Sequence, residues 1–194
     1  MVMNEPNPYA PPNESPPSLG LDWSRADLTR QEVTAFVGRK AGYYLNRWAG
    51  ALEGTGKSSG FKWAAFFFSG LWLPYRKMYA ITAIFLGFIL LESLLEEVVF
   101  VEVLGRPEPP AGLGQAVGLA ASIICGRWGN QWYLSRTRRA VAELRSQELA
   151  EDVYLDALGR RGGTNIAASL GFFALFIVAS YGFVFALELL FRGA

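Results

Sequence analysis

Three places in the chain hold side chains whose types and spacing could do chemistry. Residues 51–58, ALEGTGKS, fit the loose form of a phosphate-binding loop with Ala51 in place of the first glycine. Such a loop cradles phosphate only when a buried strand precedes it and a helix follows, so that backbone amides converge. Here a helical pattern precedes it, and Ser58, Ser59 and Gly60 lead into an apolar segment, so a flexible polar linker is expected. Glu92 and Glu96 stand at i and i+4, on one helix face, where paired carboxylates could carry protons or cations. Counted from Met78, Glu92 lies about 21 Å along a helix, close to the far side of a bilayer. Cys125 is the one cysteine and stands in an Ala/Ile setting, the pattern of an inert buried thiol. The chain has no histidine, which excludes Ser-His-Asp and Cys-His nucleophiles and His-ligated metals. No enzymatic activity, cofactor or metal is expected.

The stretch 61–79, FKWAAFFFSGLWLPYRKMY, is the most informative. An aromatic apolar run ends abruptly at Pro74, Tyr75, Arg76 and Lys77, the arrangement found where chain meets a bilayer surface. Trp63, Trp72, Tyr75, Arg76, Lys77 and Tyr79 therefore make one candidate membrane interface, and Arg127, Trp128, Trp132 and Tyr133 return to the same level. Anionic lipid headgroups are the partner this pattern calls for.

These residues need apolar helices to position them. Hydrophobic residues make up 52% of the chain, more than a small soluble core uses, and favour a membrane bundle. Residues 164–188 contain a long uncharged run that exceeds a hydrocarbon core of roughly 30 Å, and read as a transmembrane helix. Residues 78–97 read as a span that tolerates Glu92, and 111–133 as one whose only charge, Arg127, reaches the interface. The run 63–75 is too short to cross and reads as interfacial or re-entrant. Of 18 Lys and Arg, nine precede Met78 and seven fall between Arg127 and Arg161. That asymmetry puts the N-terminus in the cytoplasm and the C-terminus outside a bacterial inner membrane.

Around the spans, residues 1–28 form a Pro-rich tail expected to be disordered, with no signal-peptide pattern. Thr29 and Glu32 have capping-box spacing and open an amphipathic helix over about 30–49 within a 29–60 segment. A charged helix over 137–158 should lie in the cytoplasm and dock on it, and the membrane domain covers 61–194. Gly114, Gly118, Ser122 and Gly126 recur every four residues, a stripe on which another backbone can approach closely. Packing within the chain is favoured over a homo-oligomer seam. The near-zero net charge gives no reason to expect nucleic acid.

Four segments carry a family resemblance: FVGRKAGYYLNRW (36–48), FKWAAFFFSGLWLPYRKMY (61–79), GNQWYL (129–134) and GGTN (162–165). In order and spacing they resemble the bacterial membrane proteins grouped as domain of unknown function 2628. The chain departs where the family's Asn before Trp is Lys62, where Gly-Pro is Ser69-Gly70, and where a His commonly follows the third motif but Ser135 or Arg136 stands. The resemblance implies a small bacterial inner-membrane protein without an assigned activity. The expected protein is thus all-α, with three transmembrane helices, one re-entrant or interfacial helix and cytoplasmic amphipathic helices. Its expected role is non-enzymatic binding or scaffolding, with a protein partner on the cytoplasmic helices. The alternative is a subunit of an ion conduit or transporter using Glu92 and Glu96.

Overall fold

The computed structural model describes residues 27–54, 56 and 60–192, and every regular element among them is helical. The proline-rich tail before Asp27 lies outside the described residues, as do Thr55, Lys57 and Ser58 of the 51–58 segment. The protein is all-α.

Helix α1 (Arg30–Val37) starts where the sequence signals it: the Thr29 side chain accepts from the Glu32 amide and the Glu32 carboxylate accepts from the Thr29 amide. The single helix expected over 30–49 is broken at Gly38, whose φ of 72° ends α1. A 3₁₀ turn (Gly38–Lys40) then leads into α2 (Ala41–Leu52). The segment 63–75 forms two short helices, α3 (Trp63–Phe67) and α4 (Ser69–Tyr75), hinged at Phe68. After a reversal in which Lys77 takes a φ of 57°, α5 (Tyr79–Glu96) continues into a π-helical segment, Glu97–Val103.

Helix α6 (Leu113–Arg145) has 33 residues and is about 50 Å long. It absorbs the first part of the separate helix expected over 137–158. Thr137, Ala140, Val141 and Leu144 continue the buried face begun by Tyr133 and Leu134, so nothing interrupts the helix until Ser146. A turn with Glu148 at positive φ then leads to α7 (Glu151–Arg161). A Gly162–Gly163 turn connects to α8 (Ile166–Arg192). A Cβ on Gly162 would come 1.9 Å from the Phe36 carbonyl oxygen, and the Gly163 amide donates to that same oxygen at 2.7 Å. Asn165 caps α8 by accepting from the Ala168 amide, and its own amide donates to the Tyr75 carbonyl. Together these bonds fix where α8 leaves the core.

The chain divides by environment. Val33, Phe36, Tyr44, Trp48, Leu52, Leu73, Tyr133, Leu134, Val141 and Leu158 form one buried cluster that joins α1, α2, α4, α6 and α7. By contrast, α5 buries only Thr82, the π segment buries nothing, and α8 buries only Ser169 among its described side chains. Apolar side chains such as Ile84, Phe88, Val178 and Phe185 stand exposed along α5 and α8, and Leu119 and Ile123 along the first part of α6.

Candidate functional site: a caged cation and a basic groove

The rings of Tyr44 and Trp48, one turn apart on α2, face Tyr133 of α6 at centroid distances of 5.0 and 5.6 Å. Trp72 of α4 closes the cluster against Tyr133, and the Trp48 indole donates to the Asn130 carbonyl at 3.2 Å. Helix α6 admits the Trp72 and Phe61 rings because Gly129 and Gly126 lack side chains. A Cβ on Gly126 would fall 2.3 Å from the Phe61 ring, and one on Gly129 would meet Trp72 and Ala65 at just over 3 Å.

Two cations enter this aromatic box. Arg76 is 5% exposed as a residue, and its guanidinium lies 5.1 Å from the ring centres of both Tyr44 and Tyr133. Its Nη1 donates to the Tyr133 hydroxyl at a long 3.4 Å, while its Nε is buried without a partner. The Lys62 ammonium sits 4.1 Å from the Tyr43 ring centre, 4.8 Å from Tyr44 and 5.9 Å from Trp72. Burial, then the charges of Arg76, Lys40 and Arg47, push its pKa down to about 8. Burial also raises the Tyr44 phenol well above its ordinary value. Ring faces supply the stabilisation that a carboxylate normally would. Among the described residues, the groups that act on the Lys62 charge are Arg76, Lys40 and Arg47, with no acid to serve as a proton-transfer partner. Among the described residues no group of three or more His, Cys, Asp or Glu side chains is placed to hold a metal ion.

Beside the box, the N-terminus of α5, the C-terminal part of α6 and the end of α7 enclose an open groove of ≈ 430 Å³. One wall is Met78, Tyr79, Ala80, Ile81 and Trp132; the other carries Ser135, Arg136, Arg139, Glu143 and Arg161. Arg136 donates to the Arg161 carbonyl at 3.2 Å, and Lys77 to the neighbouring Arg160 carbonyl at 2.7 Å.

The residues expected at a lipid interface separate into two groups. Trp72, Arg76 and Tyr133 are buried in the core. Trp63, Tyr79 and Trp128 are exposed, with Tyr79 stacked on Phe172 at 5.7 Å and Arg127 set over the Trp128 ring. Tyr75 is half-buried under Arg76, Lys77 bonds to α7, and Trp132 lines the groove. The glycine stripe is also selective. Gly126 takes a close neighbour, Gly114 has only the Glu96 carboxylate at ordinary contact distance, Gly118 has open space, and Ser122 is half-buried. Sequence reasoning missed Lys62, Asn130, Gly129 and the Arg136–Arg139 pair. The available signal was the i, i+4 aromatic pair Tyr44 and Trp48 together with GNQWYL.

The architecture is thus an all-helical protein with a densely packed helical layer and largely unpacked apolar helices. One helical stretch, ending in α8, is long and apolar enough to cross a membrane by length and composition. Residues 25–139, more than half of the chain, match the family described as protein of unknown function (DUF2628), and the chain belongs to that family. The match includes the whole aromatic box and the groove residues Arg136 and Arg139, and stops short of α7 and α8. No curated protein and no solved structure matches the chain.

Proposed function

We propose that the protein is a multi-pass membrane protein of the bacterial inner membrane whose packed helical layer is a non-enzymatic binding or scaffolding module on the cytoplasmic face. The observation that carries this reading is the unequal burial of apolar side chains. Trp48 and Tyr133 are 0% exposed, whereas Ile84 is 72% and Val178 69% exposed. Contiguous apolar surface on this scale marks a membrane or interaction surface. In the proposal α5, the first part of α6 and α8 are three spans, and α3 with α4 is the interfacial element. The basic residues before Met78 and between Arg127 and Arg161 then lie on the cytoplasmic side, where anionic headgroups attract them. The charged outer faces of α1, α2 and α7 are available to a protein partner, and nothing in the charge pattern calls for nucleic acid.

The test has two parts. The chain should pellet with membranes through alkaline carbonate extraction, and a reporter that fluoresces only in the cytoplasm, fused after Ala194, should stay dark. Release into the carbonate supernatant removes the membrane reading; a bright fusion removes the three-span topology.

A second reading, a conduit, rests on one observation: Glu92 and Glu96 each have a carboxylate oxygen shielded from solvent and without a hydrogen-bond partner. Cation flux in proteoliposomes, abolished in Glu92→Gln/Glu96→Gln, would establish it. Flux equal to that of empty vesicles would dismiss it.

A further inference from the structure

The groove between α5, α6 and α7 has two chemically different walls. Its basic wall holds three guanidiniums and one carboxylate. Glu143 is already engaged, since Arg161 Nη1 donates to its Oε2. Arg139 is exposed and has no ion pair among the described residues. Arg136 spends one donor on the Arg161 carbonyl and keeps its Nε shielded from water and unbonded. Burial pushes its pKa below the ordinary arginine value, although the nearby Glu143 carboxylate acts in the opposite direction. With three guanidiniums set against one carboxylate, the groove lining keeps a net charge of +2. The opposite wall offers Ala80, Ile81, the Met78 side chain and the Trp132 ring. Above it along α5 the exposed apolar side chains Ile84 and Phe88 follow at helical spacing. A volume of ≈ 430 Å³ falls within the roughly 300–1,000 Å³ of small-molecule sites.

We infer that this groove is a binding site for one anionic glycerophospholipid, its phosphate held by Arg136 and Arg139 and its acyl chains lying along Ile81, Ile84 and Phe88 of α5. Arginine forks match phosphate oxygens, and the apolar wall ends where the basic wall begins, as head and tail of such a lipid require. A soluble phosphate compound would leave the α5 wall uncovered. A zwitterionic lipid would bring its own cation against two arginines, because the one carboxylate present is already held by Arg161. The inference rests on the membrane reading above and adds a defined lipid position on it.

The test uses the full chain, delipidated in detergent, with thermal unfolding and native mass spectrometry as readouts. Phosphatidylglycerol should raise the melting temperature and remain bound through gentle activation, and phosphatidylcholine should do neither. Arg139→Gln should melt like the parent without lipid and bind phosphatidylglycerol about tenfold more weakly, the loss expected for one hydrogen-bonded charge. Glu143→Gln frees the Arg161 guanidinium and should strengthen binding. Equal responses to the two lipids, or an Arg139→Gln variant that binds like the parent, would overturn the assignment. So would glycerol phosphate competing as well as the intact lipid, which would make the ligand a soluble phosphate compound. A chain that pellets with membranes yet shows no lipid preference loses the groove assignment alone; one released by carbonate loses the membrane reading as well.

Discussion

Glu32 gives the sharpest test of how the helical layer is held together. Its carboxylate is nearly inaccessible, 3% exposed for the residue, and accepts four hydrogen bonds. Arg145 donates through Nε at 2.8 Å and Nη2 at 2.7 Å, the Tyr154 hydroxyl donates at 2.5 Å and the Thr29 amide at 2.7 Å. One side chain thereby ties the start of α1 to the end of α6 and to α7. Because the Arg145 side chain is 48% exposed, its loss returns a charge to water rather than stranding it, and its bonds count at about 1 kcal/mol. The tyrosine bond to a charged acceptor adds about 1.5 kcal/mol and the capping interaction about 1 kcal/mol. Glu32→Ala should therefore cost about 3–4 kcal/mol, and Glu32→Gln about 2, since glutamine can still complete the capping box. In a chain of this size that corresponds to about 6–15 °C of melting temperature for the alanine variant.

The assay is tryptophan fluorescence during heating of the full chain in one detergent, with parent and variants compared at several pH values. Burial on its own would raise the Glu32 pKa, but the bonds from Arg145, Tyr154 and Thr29, with the Arg145 charge, outweigh it and hold it below its ordinary value of 4.5. A carboxylate with a depressed folded pKa contributes stability that is fully present above the unfolded value and is lost as pH falls through the folded one. The parent should thus lose stability below about pH 4.5 more steeply than Glu32→Gln does. An alanine variant that melts within 1 °C of the parent, about 0.5 kcal/mol or less, would refute the reasoning.

Gly126→Ala should destabilise by about 1–3 kcal/mol through overpacking against Phe61, whereas Gly118→Ala, with nothing within reach of its Cβ, should melt like the parent; the reverse order would show that the helices pack differently. Gly162→Ala places a methyl group against the Phe36 backbone and should prevent accumulation of folded protein, read as loss of the monodisperse peak on size exclusion. Lys62 has a folded pKa pushed down to about 8, so its burial penalty applies below that pH and is relieved as pH rises toward its ordinary value of 10.5. Stability of the parent should rise across that window, and Lys62→Met should remove the rise.

What could be read from the sequence depended on whether the signal was local. The Thr29–Glu32 capping box is a contact between residues three apart, and it forms where the spacing put it. The further partners of Glu32 lie 113 and 122 residues away, and no local pattern announces them. The break at Gly38 was missed because the apolar periodicity runs through it, and only the backbone angle shows the turn. The glycine stripe illustrates the same limit from the other side. Spacing by four puts small residues on one face but does not say where a neighbour lies, and Phe61 reaches only Gly126.

The burial of Trp72, Arg76 and Tyr133 has a more general physical meaning. Amphipathic rings beside a cation are the composition of a membrane interface, and equally the composition of a core that buries a cation without an acid. The two environments ask for the same side chains, so residue type cannot separate them. Packing can, because an interface anchor keeps a route to water while a caged cation has rings on several sides. Arg76, with Tyr44, Tyr75 and Tyr133 within 6 Å, is caged, and it holds α2, α4 and α6 together. In the proposed lipid site, the charge offered to a headgroup accordingly lies one and two helix turns beyond Trp132, on Arg136 and Arg139, where the chain opens into the groove.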